Sequence, residues 1–329
     1  MQSLAEPIVV EKSELVARFL DEVGRTEDLD FSPDNRRVAI VGYMTNTIAL
    51  VDLDIRFTTE GARIVARDAF RFRSGTIRHP HGVAFIDDDH LIVANRRGEA
   101  PVFRLPPSGS VAGEIALEPV RLLRGNWWRT LRKPGSVCVN RLDDCLVEAL
   151  ICEAWEHTVS RFVIDTRANF ALRKSSVLLE RDLDLPDGVA TDAGNRWIAV
   201  TNHLENRTVI FRRDGRLTRR TPPCGSLRGG AYPHGVRFTP DGRIVLVSSA
   251  GAPRVDVFRS DDGDWCGARE PVASIRVMDE RTFERGQINP QEGGPKGLAI
   301  DRTGRLFAVT SDRQRLAFFD LQAAVSGAA

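Results

Sequence analysis

Short runs of β-branched and apolar residues alternate with polar turns along the whole chain. Leu91-Ile92-Val93-Ala94, Ile244-Val245-Leu246-Val247 and Leu306-Phe307-Ala308-Val309 are continuous apolar runs of strand length. Ile48-Ala49-Leu50-Val51-Asp52, Val209-Ile210-Phe211 and Val255-Asp256-Val257-Phe258 belong to the strands that follow each polar loop. Such runs, bounded by turns like Ser32-Pro33-Asp34-Asn35, Thr239-Pro240-Asp241-Gly242 and Asp301-Arg302-Thr303-Gly304, predict strands rather than helices.

The runs recur in a fixed order behind a repeated start. The starts are Glu27-Asp28-Leu29-Asp30-Phe31, Pro80-His81-Gly82, Pro134-Gly135-Ser136, Pro186-Asp187-Gly188, Pro233-His234-Gly235 and Pro295-Lys296-Gly297. The residue after the proline falls at 81, 135, 187, 234 and 296, with Glu27 in the same slot 54 residues before His81. A repeat of this length built from short strands predicts an all-β fold, a six-bladed β-propeller with one four-stranded sheet per blade. Six blades of roughly 55 residues use all of residues 1–329 in a single domain.

After the last start the chain holds material for about three strands. The missing strand is assigned to Leu15-Val16-Ala17-Arg18-Phe19-Leu20, so that an N-terminal strand completes the last blade and leaves no open edge. The alternative for this segment is an amphipathic helix beginning after Ser13.

Apolar residues make up 42% of the chain and charged residues 28%, which excludes a disordered protein. Forty-six basic and 45 acidic residues give a net charge of +1, so no overall field favours nucleic acid or an anionic membrane. No uncharged apolar window is long enough to span a bilayer. Met1 to Glu11 does not resemble a secretory signal. The five cysteines, Cys138, Cys145, Cys152, Cys224 and Cys266, form no C-x-x-C pair; they read as reduced thiols in a cytoplasmic protein. The expected partner is a small-molecule substrate, and a monomer is favoured.

Candidate chemistry lies in the slot between proline and glycine. Proline fixes φ and glycine permits a tight or positive-φ bend, so the residue between them is held out with little freedom. The six occupants are Glu27, His81, Gly135, Asp187, His234 and Lys296. Entering the inner strands, they ring one mouth of the channel. Glu27, Asp187, His81 and His234 together make a plausible divalent-cation site, and the imidazoles pull its preference toward zinc, manganese or iron. The plainer reading is a wet channel in which Lys296 pairs with Glu27 or Asp187. A second ring follows the second strands, at Tyr43, Asn95, Glu153, Asn202, Ser249 and Ser311. Asn95, Glu153, Asn202 and the adjacent His203 are candidates to bind substrate, with ordinary loop capping as the alternative.

The basic, Trp-containing segment Arg121–Lys133 could stack on an aromatic or anionic ligand, bind single-stranded nucleic acid or form a lid over the mouth, with a surface loop as the plainer reading. The polar insertion Arg281–Gly294 hangs near the same mouth. No Gly-x-Ser-x-Gly elbow occurs, which disfavours a serine hydrolase.

These repeats resemble the six-bladed propellers of the paraoxonase, gluconolactonase (senescence-marker-protein) and strictosidine-synthase superfamily over essentially the whole chain. Thr26-Glu27-Asp28-Leu29-Asp30 is similar to the first-blade segment of paraoxonase-type lactonases, and Pro80-His81-Gly82-Val83-Ala84-Phe85 to their second-blade segment. Pro186-Asp187-Gly188-Val189 is similar to a turn shared across the superfamily. The resemblance implies calcium at the channel mouth, with Glu27 and Asp187 as ligands and His81 as general base. It departs at Gly135, where the family has an Asn ligand, at His234, where an Asp is usual, and at Lys296.

Taken together, the expectation is a metal-assisted hydrolase of a lactone or ester. Glu27, Asp187 and His234 hold the metal, and His81, His234 and Lys296 are the catalytic candidates. The alternatives are a cyclase, lyase or isomerase of a specialised small molecule, working with or without metal, and a non-catalytic binding propeller.

Overall fold

A computed structural model describes residues 4–59, 61–124, 131–215 and 217–328. Its strands form six small sheets. The first strand of each repeat is innermost: Thr26–Phe31, Pro80–Asp87, Pro134–Arg141, Pro186–Thr191, Pro233–Phe238 and Gly297–Ile300. Each inner strand touches the next around the axis, and the sixth touches the first, so the sheets close as a six-bladed propeller.

The apolar runs are continuous because both faces of each blade are covered. One cluster of buried side chains fills each gap between neighbouring blades. Between blades one and two, for example, Val41, Leu50 and Phe72 meet Val83, Val93 and Phe103. At the seam, Phe31 of blade one packs on Phe318 of blade six, with ring centroids 6.1 Å apart.

Residues 15–20 do not form the expected strand. They lie in helix α1, Glu14–Glu22, whose N-terminus is capped by the Ser13 hydroxyl accepting from the Val16 N–H at 3.3 Å. The reason is periodicity. Val16, Phe19 and Leu20 are buried, a spacing that puts three side chains on one helical face and would scatter them over both faces of a strand. The last blade therefore has three strands. The preceding segment seals the seam differently, running across the outer edges of three blades. The Ala5 N–H donates to the Arg276 carbonyl on blade five, and the Ile8 N–H to the Phe318 carbonyl on blade six. Val10–Lys12 then pairs in parallel with the outer strand of blade one. Two further strands, Gly113–Ala116 and Gly267–Arg269, cover the edges of blades one and four in the same way.

The second of these additions corrects the reading of five reduced thiols. It brings Cys266 beside Cys224, with Cα atoms 4.8 Å apart, and the two form a disulfide; Cys138, Cys145 and Cys152 are free. The bonded pair lies 42 residues apart, so no local spacing could announce it. Among the described residues, no helix is long and apolar enough to cross a membrane.

Candidate functional site at the upper mouth

The start of each inner strand is built to aim one side chain at the axis. In blades one to five the pairing register slips there, between Thr26 and Leu29, Pro80 and Gly82, Pro134 and Val137, Pro186 and Val189, and Pro233 and Val236. Such a bulge re-aims the side chain within it. The glycine that follows is needed for closeness, not for a positive φ. A Cβ on Gly188 would lie 2.0 Å from the His234 carbonyl oxygen, and one on Gly235 would lie 2.7 Å from that of Lys296. The left-handed backbone falls one residue before the proline, at His79, Lys133, Leu185 and Tyr232.

Glu27, His81, Asp187, His234 and Lys296 are all buried and converge. His234 Nε2 lies 3.5 Å from Glu27 Oε2 and 3.4 Å from Asp187 Oδ2. His81 Nε2 lies 3.7 Å from Glu27 Oε2 and 3.7 Å from Asp187 Oδ1. The two imidazoles stack at 5.1 Å, each between the same two carboxylates. Single donor atoms of Glu27, His81 and His234 all lie within 4.8 Å of one another. Glu27 Oε2 and His81 Nδ1 are buried without a hydrogen-bond partner.

Internal cations balance the carboxylates. Lys296 Nζ lies 3.2 Å from Glu27 Oε2 and also contacts Glu292, which comes from the insertion before blade six. Arg25 contacts Glu27 and holds Glu292 at 3.0 Å. Arg96 holds Asp187 Oδ1 at 2.6 Å. Burial pushes the Glu27 carboxyl up, but Lys296, the histidines and Arg25 outweigh it and hold the group well below the carboxylate range. Asp187 is held down against burial in the same way, chiefly by Arg96. Burial, reinforced by Arg96, drives His81 well below the usual imidazole value, so it is neutral. Burial pushes the neighbouring Lys296 down, but Glu27 and Glu292 together outweigh it and the group is raised. The plainer sequence reading, Lys296 paired with Glu27, thus holds alongside the convergence.

The second ring divides. His203 joins the site, its Nδ1 3.9 Å from Asp187 Oδ2 and its ring against His234 and Tyr232. Asn95, Glu153 and Asn202 tie down the loops instead. Asn95 accepts from the Arg78 N–H at 3.0 Å and donates to the Thr76 and Glu99 carbonyls. Glu153 accepts from the Arg132 N–H at 2.9 Å and from the Ser160 hydroxyl. Asn202 donates to the Asp182 carbonyl and to Glu205, while its Oδ1 is buried without a partner.

Sequence reasoning missed Arg25, Arg96 and Glu292. Arg96 had the clearest signal, since it directly follows Asn95 and sits opposite a ring position that carries no side chain. Residues 125–130, with both Trp of the basic segment, lie outside the described residues.

The other mouth is separate. A cavity of about 370 Å³ opens there, lined by Asp30, Phe85, Cys138, Asn140, Arg237 and Arg302 among others. Arg237 reaches from it to Asp28, at 3.3 Å, and burial raises the Asp28 carboxyl to about 6.

Among the described residues, one carboxylate-and-imidazole set, Glu27, His81 and His234, could hold a metal, with Asp187 beside both imidazoles. Its chemistry suits zinc, manganese or iron better than calcium, which takes six or more oxygens, and Gly135 offers no side-chain oxygen.

No family model matches the chain, and no curated protein matches it in sequence. Among solved structures, a functionally unknown protein from Desulfotomaculum acetoxidans DSM 771 aligns with a TM-score of 0.56 and 14% sequence identity, over 90% of this chain and 83% of that one. At that identity the likeness speaks for architecture alone, and the architecture is the six-bladed β-propeller.

Proposed function

We propose that the upper mouth is the active site of a metal-assisted hydrolase acting on a lactone or ester. The observation that carries this reading is the meeting of Glu27, His81, Asp187 and His234, from four different blades, within 3.4–3.7 Å across each imidazole–carboxylate contact. A scaffold needs no such cluster, and burying it is costly unless every charge is compensated.

Glu27, Asp187 and His234 would hold the ion; of the two histidines, His234 lies nearer to both carboxylates. A bound divalent ion would polarise the substrate carbonyl and ease deprotonation of a water. His81, kept neutral by burial, takes the proton of the attacking water at Nε2 and delivers it to the leaving alkoxide. The imidazolium formed in between is stabilised by Glu27 and Asp187, each 3.7 Å from that nitrogen. Lys296 and Arg96 keep those two carboxylates ionised throughout.

The test is metal analysis of the purified protein together with hydrolysis of a panel of lactones and esters by the wild type, His81→Gln and Asp187→Asn. The reading expects a bound zinc, manganese or iron, and a loss of about 10²–10⁴-fold in turnover when the base is removed. Unchanged turnover in both variants, or a wild type that hydrolyses none of the panel, overturns it.

A second reading is a metal-independent lyase, isomerase or cyclase. Lys296 favours it, because an ammonium 3.2 Å from Glu27 Oε2 already stands as a cation at the site. Turnover that survives excess chelator, without ester hydrolysis, is its signature.

A further inference from the structure

Blade three has no side chain to offer at its ring position, because Gly135 stands there. The position is nevertheless covered. Arg96, from the loop between the second and third strands of blade two, donates through one terminal nitrogen to the Lys133 carbonyl at 3.0 Å. Its other terminal nitrogen donates to Asp187 Oδ1 at 2.6 Å. Lys133 lies two residues before Gly135, and Asp187 is the ring residue of blade four, so the guanidinium, itself from blade two, ties the entry of blade three to blade four across the bare position. A side chain at 135 is incompatible with this arrangement. Its Cβ would lie 2.8 Å from the Asp187 carbonyl oxygen and 3.1 Å from Oδ1.

We propose that Arg96 is the positioning residue of the site, taking the place that blade three leaves open and fixing the rotation of the Asp187 carboxylate. This rests on the mouth being the reaction centre. The two carboxylate oxygens have different tasks. Oδ1 faces Arg96 and His81, whereas Oδ2 faces His234 and His203. A carboxylate free to turn about its terminal bond would not keep one oxygen for each imidazole. The charge-assisted bond at 2.6 Å holds Oδ1, and the anchor on the Lys133 carbonyl holds the guanidinium in turn. Lysine cannot substitute, because a single ammonium on a flexible stem lacks the rigid fork that reaches both acceptors. Arg96 touches no reacting atom in this scheme; it acts through Asp187.

The experiment uses the full chain with its histidines labelled at Cε1. The six histidines give few resonances, and those of His81, His203 and His234 are assigned by substitution. Arg96→Ala is compared with wild type, with Arg96→Lys, with Arg96→Gln, which keeps a donor but no charge, and with Arg96→Ala in tens of millimolar guanidinium. The inference expects Arg96→Ala to displace the three resonances and to lower turnover about 10- to 100-fold, the usual cost of losing a partner that orients a functional group. Guanidinium restores both, and tetramethylammonium at the same concentration restores neither. Arg96→Gln fails as Ala does, which separates charge and fork from packing. Wild-type resonances in Arg96→Ala, or displaced resonances that guanidinium leaves displaced, overturn the inference. If the wild type turns over no ester, the hydrolase reading falls and the imidazole resonances alone decide the role of Arg96.

Discussion

Lys296→Met removes the ammonium that Glu27 and Glu292 share. Lys296 is 3% exposed, so no solvent replaces it. At 3.2 Å from Glu27 Oε2 its attraction amounts to about 5 kcal/mol at an effective dielectric constant of about 20. Release of the desolvation cost of the lysine returns part of this. The net loss on breaking a buried pair is about 3–5 kcal/mol. In the variant Arg25 is left to serve both carboxylates. The pH dependence follows from the shifts. Glu27 lies below its ordinary value of 4.5 in the fold, so its contribution is present above about that pH and fades as the pH falls through the folded value. Lys296 lies above its ordinary 10.5, so its contribution is present below that pH and fades as the pH rises through the folded value. The penalty is therefore a plateau across neutral pH that shrinks below about 4.5. Urea denaturation of wild type and variant at pH 7, and at a series of lower pH values, measures it. The same variant should bind zinc at least tenfold more tightly by calorimetry, since a resident positive charge has gone. A variant within 1 kcal/mol of wild type at pH 7, with no pH dependence in the difference, refutes the pairing argument.

Gly188→Ala puts a Cβ 2.0 Å from the His234 carbonyl oxygen, so the inner strands of blades four and five must separate; a loss of about 3 kcal/mol or more is expected by thermal or chemical denaturation, and a wild-type melting temperature would contradict it. Cys224→Ser or reduction opens a cross-link between residues 42 apart, worth about 4 kcal/mol in the chain-entropy account; denaturation with and without reductant reads the difference, and two further titratable thiols in the oxidised protein would show that the bond is not made.

The fold was legible because the propeller repeats its instructions. Proline, an aimed residue and glycine recur at each inner strand, and the apolar runs declare sheets buried on both faces. The aimed residues were legible for the same reason, since equivalent slots in a closed ring must meet. What failed was a segment outside the repeat. In Leu15–Leu20 a dense apolar run suited either element, and only the burial of Val16, Phe19 and Leu20 on one face shows which period applies. The disulfide and the insertion's Glu292 were hidden because each depends on a contact between segments that no periodicity relates. The loop positions Asn95, Glu153 and Asn202 were placed correctly along the chain. Chemistry alone could not tell whether their side chains look inward to the axis or back to the backbone of the preceding connection.

The arrangement of charge explains how so polar a ring stays buried. Counting around the axis, Glu27 is followed by His81 and then by Arg96 over the bare Gly135; Asp187 is followed by His234 and then by Lys296. Each half of the propeller thus presents a carboxylate, an imidazole and a cation in the same order. Opposite blades carry like groups, so every carboxylate has a cation within reach and the two imidazoles lie between. Arg25, Glu292 and Asp312, the last 3.9 Å from Arg25, add further charges of both signs on the Glu27 side. A ring that pairs each buried carboxylate with a cation avoids the several kcal/mol that an uncompensated buried ion would cost. On the proposed hydrolase reading, a divalent ion entering between Glu27, Asp187 and His234 would add two positive charges to this balance, and hydroxide or the carboxylate released from an ester would offset part of them.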